Sequence, residues 1–201
     1  MLSVVLATPR TGSNTFVQEL DADVWMPEHH PGYLRHYEYF NFGNHISSET
    51  QHHLCTKYYT VLRDHIDAKP QDNICVKLLV GQAPLHIINH LVARADCLYH
   101  TIRLDYVAQL KSFVAARKHQ IWLDGRYHTS VDGVTQQLVH QCHSELTKQI
   151  QLHHDLYCKY GGSLVVLEHR KQASYPNRPE FVVMLDWPCF NTSGLFDIHN
   201  K

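Results

Sequence analysis

The sequence opens with the stretch Leu2-Ser3-Val4-Val5-Leu6-Ala7-Thr8-Pro9-Arg10-Thr11-Gly12-Ser13-Asn14-Thr15. The short apolar run at residues 2–7, bounded by Pro9 and Gly12, predicts a buried β-strand that leads into a turn. A helix over residues 14–20 is expected to follow. Such a unit puts its loop beyond the carboxyl end of the strand, which is where open α/β sheets bind their ligands.

The loop after this strand has the composition of a site for a tetrahedral anion. Gly12 allows a close approach of the backbone, and Arg10 is a permanently charged donor that can bind an oxyanion through two hydrogen bonds. Thr11, Ser13 and Thr15 add hydroxyl groups at the head of the predicted helix. The loop lacks the lysine before Ser13 that the pattern G-x-x-x-x-G-K-[ST] requires, so ATP fits it less well. A polar turn without a ligand is the alternative interpretation.

The rest of the chain alternates strand and helix patterns. Further buried strands are predicted at residues 73–80, 97–102 and 163–167, and residues 181–185 have the pattern of one more. Helices are predicted at residues 48–69, 85–93 and 106–119, and a long helix is expected to end near residue 160. Because parallel neighbours need crossover connections, the alternation predicts the α/β class, with a mainly parallel sheet covered by helices on both faces. A single domain over residues 1–201 is expected at this length.

Capping signals mark the ends of two of these helices. Ser48 and Gln51 have the spacing of a capping box, which predicts Ser48 as the cap of the helix that follows it. Ser130 or Asp132 is expected to cap the long helix. Gly161 follows the end of that helix, where a left-handed residue is favoured.

The overall composition limits the classes of function. Lys and Arg number 18 and Asp and Glu 19, so the formal net charge is -1. Nothing in this balance favours nucleic acid or an anionic membrane as a partner, and any anion site must be local. The apolar runs fall short of the ~20 residues of a membrane span, and the N-terminal residues lack the pattern of a secretory leader. We therefore expect a soluble, cytoplasmic protein.

Cysteine and histidine do not indicate a metal site. The six cysteines are scattered and never form a C-x-x-C pair, which argues against a zinc ribbon or a disulfide scaffold. His140 and His143 share a helix face, but no third ligand has a suitable spacing. We predict that the protein binds no metal.

Three later segments carry further motifs. They are Tyr37-Glu38-Tyr39-Phe40, Val76-Lys77-Leu78-Leu79 and Ile102-Arg103-Leu104-Asp105-Tyr106-Val107-Ala108-Gln109-Leu110-Lys111-Ser112, with Trp122 beyond them. Together with the loop at residues 8–15, and in the same order, they resemble segments of the sulfotransferases that use 3′-phosphoadenosine 5′-phosphosulfate (PAPS). The likeness is to the bacterial branch that includes trehalose 2-sulfotransferase and the Nod-factor sulfotransferases, and it covers residues 2 to about 122. It implies a P-loop NTPase-like fold of three layers.

The resemblance also implies a donor site. The 5′-phosphosulfate would lie on the loop residues Arg10, Thr11, Gly12, Ser13, Asn14 and Thr15. Arg103 and Ser112 would hold the 3′-phosphate, since a permanent cation opposite a hydroxyl suits a dianion. For Arg103 the alternative is a surface ion pair with Asp105. Leu104 stands where many members of the family have a second arginine.

Sulfuryl transfer needs stabilisation of charge and a base that takes the proton of the acceptor. Arg10 would stabilise the transferring group and Lys77 the departing phosphate. The alternative for Lys77 is a lysine that merely extends out of a buried strand. By the resemblance, Glu38 is the leading candidate for the base. Leu79 occupies the position of the histidine that serves in the cytosolic eukaryotic branch.

Other side chains near Glu38 are alternatives or additions. His36 and His45 are alternative bases, because histidine titrates near neutral pH. Nearby aromatic side chains would form either a stacking platform for a sugar or aromatic acceptor or a part of the core. These aromatic residues are Tyr33, Tyr37, Tyr39, Phe40 and Phe42.

The sequence thus predicts an enzyme that transfers a sulfuryl group from PAPS to a hydroxyl of a carbohydrate or small-molecule acceptor, with adenosine 3′,5′-bisphosphate as the second product. A binding module that keeps the nucleotide pocket without turnover is one alternative, and a P-loop kinase is another. The oligomeric state is open, a homodimer being one option.

Overall fold

The computed structural model describes residues 1–20, 23–24, 38–42, 47–120, 133–168 and 180–184. The elements in chain order are β1 (Leu2–Ala7), α1 (Ser13–Glu19), β2 (Asp23–Val24), α2 (Ser48–Ala68), β3 (Ile74–Leu79), α3 (Leu85–Arg94), β4 (Cys97–Ile102), α4 (Tyr106–His119), α5 (Gln136–Tyr160), β5 (Ser163–Glu168) and β6 (Glu180–Met184). All four predicted buried strands and all five predicted helices are present, with small shifts at their ends.

The strands form one sheet in the order β2-β3-β1-β4-β5-β6. The pairs from β2 to β5 are all parallel, and β6 runs antiparallel to β5 at the edge. The prediction of an α/β protein with a mainly parallel sheet flanked by helices is therefore confirmed. The additional strand expected at residues 181–185 corresponds to β6.

β1 lies in the middle of the sheet, and helices cover both of its faces. On one face, Val4 and Leu6 belong to a core cluster formed with α2, α3 and α5. The helical members of this cluster include Tyr58, Leu62, Ile87, Leu91 and Leu156. On the other face, Val5 packs with Phe16 and Val17 of α1. A buried side chain of this kind contributes about 1.5–3 kcal/mol, so β1 and the start of the loop that follows it are firmly anchored.

Helix α4 begins directly after β4 and packs against α5. Tyr106, Leu110 and Phe113 of α4 form a buried cluster with Cys142 and Leu146 of α5. This packing fixes α4 beside the carboxyl end of β4, and with it the polar side chains that α4 turns toward the sheet.

The cap of α2 differs from the prediction by one residue. Ser47, and not Ser48, is the N-cap: its backbone is extended, and its Oγ accepts a hydrogen bond of 3.1 Å from the N–H of Thr50. Ser48 already has helical geometry. Two adjacent serines are equivalent as capping side chains, so the backbone conformation decides between them.

The ends of α5 give one correction and one confirmation. Thr135 is its N-cap and accepts a hydrogen bond of 3.3 Å from the N–H of Leu138. Ser130 and Asp132 lie outside the described residues, and both precede Thr135, the cap residue, by at least three positions. The prediction for the other end is confirmed, because Gly161 ends the helix with a φ of 67° and donates its N–H to the carbonyl of Tyr157.

Candidate functional site

The chain leaves β1 and β4 in opposite directions along the sheet. After β1 it continues to β2 and β3 on one side, and after β4 it continues to β5 on the other. Open α/β sheets bind ligands in the crevice that such a reversal creates at the carboxyl ends of the strands. The carboxyl ends of β1 and β4 therefore delimit the candidate site.

The loop between β1 and α1 has an unusual backbone. Arg10 has a φ of 67° and Gly12 a φ of 82°, and both values lie in the left-handed region. Glycine adopts this region freely, whereas for arginine it costs about 1–2 kcal/mol. The surroundings of the loop must hold Arg10 in this conformation.

Buried hydrogen bonds tie the loop to both β4 and α4. The Oγ1 of Thr11 donates to the carbonyl of Thr8 at 3.1 Å and lies 3.1 Å from the Oγ1 of Thr101 in β4. From α4, the Nε2 of Gln109 donates to the Oγ1 of Thr8 at 3.0 Å and to the carbonyl of Pro9 at 2.7 Å. All four of these polar side chains are buried. Their hydrogen bonds hold the loop in a defined shape.

Arg10, Arg103 and Ser112 lie together at the carboxyl ends of β1 and β4. The Nε of Arg10 donates to the Oγ of Ser112 at 2.8 Å, and the Nη1 of Arg103 donates to the carbonyl of Arg10 at 3.5 Å. Asp105, which was considered as an ion-pair partner of Arg103, is the N-cap of α4 and accepts a hydrogen bond of 2.9 Å from the N–H of Ala108. The three residues form a positively charged cluster, which we call the arginine cluster.

A second polar cluster lies on the β3 side of the loop. Lys77 of β3 is in register with Val5 of β1, and its side chain is only 2% exposed. Its Nζ donates to the Oδ1 of Asn14 in α1 and, at 3.0 Å, to the Oε1 of Glu38. Because an ammonium group can only donate, the amide oxygen of Asn14 must face Lys77, and the amide NH2 group faces away from it. We call Lys77, Glu38 and Asn14 the lysine cluster.

Glu38 is held at both of its carboxylate oxygens. In addition to Lys77 at Oε1, the Oε2 accepts from the Nε2 of Gln82 and from the Nδ2 of Asn41, each at 2.7 Å. Burial raises the pKa of Glu38, but the Lys77 charge and these hydrogen bonds outweigh burial and hold the pKa below its ordinary value. Burial likewise lowers the pKa of Lys77, and the Glu38 carboxylate opposes that change. Burial is the larger of these two effects, so the pKa of Lys77 lies below its ordinary value. The two side chains form a buried salt bridge with a distance of 3.0 Å between Nζ and Oε1.

The remaining loop residues divide between interior and surface. Thr11 and Ser13 are buried, and the hydroxyl of Thr11 is used inside the protein. Gly12 and Thr15 are partly exposed, as are Arg10 and Asn14. Of the predicted loop ligands, the partly exposed residues are thus better placed to meet a bound anion than Thr11.

Several predicted residues lie outside the described parts of the chain. They are His36 and His45, proposed as alternative bases, the aromatic residues Tyr33 and Tyr37, and Trp122. The described members of the aromatic group, Tyr39, Phe40 and Phe42, are all buried in the core cluster that contains Tyr58. For these three residues the core interpretation is the one that holds.

Sequence reasoning did not identify Gln82, Gln109, Thr101 and Asn41 as part of the site. A signal for Gln109 was present, because this amide falls between the buried residues Tyr106 and Leu110 on the inner face of α4. Gln82 lies three residues after Leu79, the last residue of β3, and β3 is a neighbour of β1 in the sheet. Site residues are expected at such a position, beyond the carboxyl end of a central strand. Both glutamines contact residues that are distant in sequence, and these contacts are set by packing.

Among the described residues, no group of three or more His, Cys, Asp or Glu side chains is arranged to hold a metal ion. His143, considered above with His140, lies with its Nδ1 2.7 Å from the hydroxyl of Tyr106. None of the described helices has both the length and the apolar character needed to cross a bilayer.

Comparisons of the chain with protein-family models, with curated proteins and with solved structures found no match. Its function must therefore be inferred from the residues of the site.

Proposed function

We propose that the protein is a sulfotransferase that transfers a sulfuryl group from PAPS to a hydroxyl of a carbohydrate or small-molecule acceptor and leaves adenosine 3′,5′-bisphosphate. The observation that carries the proposal is the arginine cluster. Its residues come from two separate segments, the loop at residues 8–15 and the segment at residues 102–112, and the resemblance assigned both segments to the donor site. A P-loop NTPase-like fold is part of the proposal, supported by a central parallel strand whose loop carries the anion-binding motif.

The site matches the charge of such a donor. Arg10 and Arg103 keep their positive charge at any physiological pH, and guanidinium groups bind phosphate and sulfate oxygens through paired hydrogen bonds. The chain as a whole has a formal charge of -1, so this positive charge is a local feature. When bound, the donor supplies a sulfuryl group that is activated by its link to a phosphate.

Lys77 and Asn14 of the lysine cluster would act on the transfer itself. As the acceptor oxygen bonds to sulfur, the bond between sulfur and the phosphate oxygen breaks, and negative charge grows on that oxygen. Lys77 and the amide NH2 group of Asn14 lie on the β3 side of the loop and would stabilise this charge. Burial lowers the pKa of Lys77, and Glu38 opposes that effect and so favours the charged form that the step requires.

The role of Glu38 as general base stays a prediction. In the described arrangement, both of its oxygens accept hydrogen bonds and its pKa lies below the ordinary value, so its affinity for a proton is low. These surroundings support a positioning role, in which Glu38 holds Lys77 beside Asn14. A base role would require that the ion pair with Lys77 opens when the acceptor binds.

The ion pair of Glu38 with Lys77 favours a second candidate function, a nucleotide-binding module without turnover. Such a module needs the arginine cluster but no base, and a carboxylate committed to an ion pair is compatible with that function. The two candidates share donor binding and differ in catalysis.

The test measures binding and transfer separately. Calorimetry with adenosine 3′,5′-bisphosphate measures binding, and sulfur-35-labelled PAPS with a panel of sugars and small alcohols measures transfer. We expect both, and we expect Arg103→Ala to weaken binding at least about tenfold, the effect of losing a charged hydrogen bond. Arg63→Ala serves as the control, since Arg63 is an exposed residue of α2 that pairs with Asp64.

Each result separates the candidates. Binding without transfer to any acceptor of the panel, and without a burst of bisphosphate product, favours the module. A larger thermal shift with ATP and Mg²⁺ than with PAPS favours a kinase, and absence of bisphosphate binding rules out the sulfotransferase.

A further inference from the structure

The side chain of Arg10 is directed toward β4 and α4. Its Nε donates to Ser112 of α4, and its carbonyl accepts from Arg103, which follows β4. Arg10 belongs to the loop in sequence, yet these two contacts are with the residues that the resemblance assigned to the 3′-phosphate.

The other cation near the loop lies on the opposite side. Lys77 belongs to β3, and β3 and β4 are the two neighbours of β1. Adjacent strands are about 4.8 Å apart, which separates β3 from β4 by about 10 Å. The site therefore has cationic side chains on both sides of the loop: Lys77, paired with Glu38, on the β3 side, and the arginine cluster on the β4 side.

We propose that Arg10 recognises the 3′-phosphate of the donor nucleotide together with Arg103 and Ser112, while Lys77 and Asn14 serve the 5′ group. This inference rests on the proposed function. It assigns Arg10 to the 3′-phosphate, whereas the loop motif suggests the 5′-phosphosulfate. Arg10 is then the residue that distinguishes a nucleotide with a 3′-phosphate from one without it.

Charge supports this assignment. A phosphate monoester carries a charge of about −1.5 to −2 near neutral pH, which two guanidinium groups neutralise and one does not. Two positive side chains at one place repel each other. An anion bound between them attracts both, and this attraction outweighs the repulsion. The hydrogen bond to Ser112 holds the Arg10 Nε beside a hydroxyl that would contact the same anion, and the left-handed backbone at Arg10 sets the direction in which the side chain leaves the loop.

The experiment compares two nucleotides that differ only in the 3′-phosphate. Adenosine 3′,5′-bisphosphate and adenosine 5′-monophosphate are titrated by calorimetry into the wild-type chain and its variants. We expect the wild type to prefer the bisphosphate by about 10- to 100-fold, as charged hydrogen bonds predict. Arg10→Ala should reduce this preference at least about tenfold and change the affinity for the monophosphate by less than about threefold.

Two further variants sharpen the comparison. Ser112→Ala should also reduce the preference, and its effect should not add to that of Arg10→Ala, because the two side chains act on one anion. Asn14→Ala, on the other side of the loop, should weaken both nucleotides by the same factor. Arg10→Gln, which keeps a long side chain at this strained position, gives the same test if Arg10→Ala does not fold.

Two outcomes would overturn the inference in different ways. If Arg10→Ala or Arg10→Gln weakens both nucleotides by the same factor in a protein whose wild type prefers the bisphosphate, Arg10 serves the 5′ group, and the proposed function stands. If the wild type binds neither nucleotide, the proposed function fails, and the assignment of Arg10 fails with it.

Discussion

Lys77 and Glu38 form an ion pair whose side chains are only 2% and 7% exposed. Removal of one partner of such a pair leaves a buried charge without compensation, which typically costs about 3–5 kcal/mol, whereas replacement of both partners is often close to neutral. We therefore expect Glu38→Gln to lower the free energy of unfolding by about 3 kcal/mol. The double variant Glu38→Gln/Lys77→Met should recover most of this loss, as measured by urea denaturation.

This expectation affects the interpretation of any kinetic test at Glu38. A lower kcat in Glu38→Gln identifies a base only at a temperature where the variant is fully folded. If Glu38→Gln is as stable as the wild type, the ion pair does not contribute as described, and the positioning role of Glu38 loses its support.

Gln109 is the residue whose side chain fixes the shape of the loop from α4. Gln109→Leu keeps the volume of the side chain and removes both of its hydrogen bonds, to Thr8 and Pro9. We expect a loss of about 1–3 kcal/mol of stability and weaker binding of adenosine 3′,5′-bisphosphate, measured by denaturation and calorimetry.

Gln141→Leu, at an exposed position of α5, is the matched control for Gln109→Leu. It should leave both the stability and the binding nearly unchanged. Equal effects of the two substitutions would show that the hydrogen bonds of Gln109 do not hold the loop.

At the scale of elements, the connection from α5 to β5 depends on two glycines with different constraints. A Cβ at Gly162 would lie 2.8 Å from the carbonyl oxygen of Leu98 in β4, whereas a Cβ at Gly161 would have no atom within 4 Å. Both residues have a positive φ, so both alanine substitutions introduce backbone strain. We expect Gly162→Ala to be more destabilising than Gly161→Ala by about 1–3 kcal/mol, the usual cost of overpacking.

Thermal or urea denaturation of the two variants checks this difference. A Gly162→Ala protein as stable as Gly161→Ala would mean that the turn at Gly162 can move away from β4 at no cost, contrary to the close approach of Gly162 to Leu98.

Local sequence signals predicted the strands and helices but did not predict their exact ends. An apolar run bounded by Pro9 and Gly12 can only be a short buried element, and its strand was predicted correctly. The cap at Ser47 was not, because Ser47 and Ser48 have the same side chain and differ only in a backbone conformation that the whole fold determines.

At the scale of the whole molecule, a pair of buried histidines joins the sheet to α5 and makes the stability depend on pH. His100 of β4 and His153 of α5 are at most 1% exposed, and their rings stack with centroids 5.0 Å apart. Burial lowers the pKa of His100 to about 4, with the hydrogen bond to the Gly161 carbonyl opposing it, and burial also lowers the pKa of His153 well below its ordinary value.

The sign of the pH effect follows from these directions. Between pH 6.5 and about 4 the unfolded chain binds a proton at His100 and the folded chain does not, so the free energy of unfolding falls as the pH falls through this window. We expect a loss of about 3 kcal/mol for this group. The lowered pKa of Glu38 adds a further loss only below its ordinary value of 4.5.

Urea denaturation at a series of pH values measures this dependence. His153→Phe should reduce the slope between pH 6.5 and 4, whereas His53→Phe, at an exposed position of α2, should not. A slope that His153→Phe leaves unchanged would show that His153 is not among the groups that titrate on unfolding.

The sequence predicted which residues belong to the candidate site, but it did not predict the hydrogen bonds between them. Arg10, Arg103 and Ser112 stand in motifs, so each was identified along the chain. The bond between Arg10 and Ser112 joins residues 102 positions apart, and only the packing of α4 beside β4 determines it. For the same reason, the state of Glu38 was not predictable, because its pKa depends on neighbours from β3 and from the turn after it.

The buried hydrogen bonds of Thr8, Thr11 and Gln109 have a consequence for the thermodynamics of binding. A segment that is already ordered loses little conformational entropy when a ligand arrives, and ordering one residue of a mobile segment would cost about 1–2 kcal/mol. Backbone 15N relaxation at Thr8, Arg10, Thr11 and Gly12 should therefore report an ordered loop in the free protein and change little on saturation with nucleotide. Association should accordingly be fast, because no rearrangement of the loop has to precede contact.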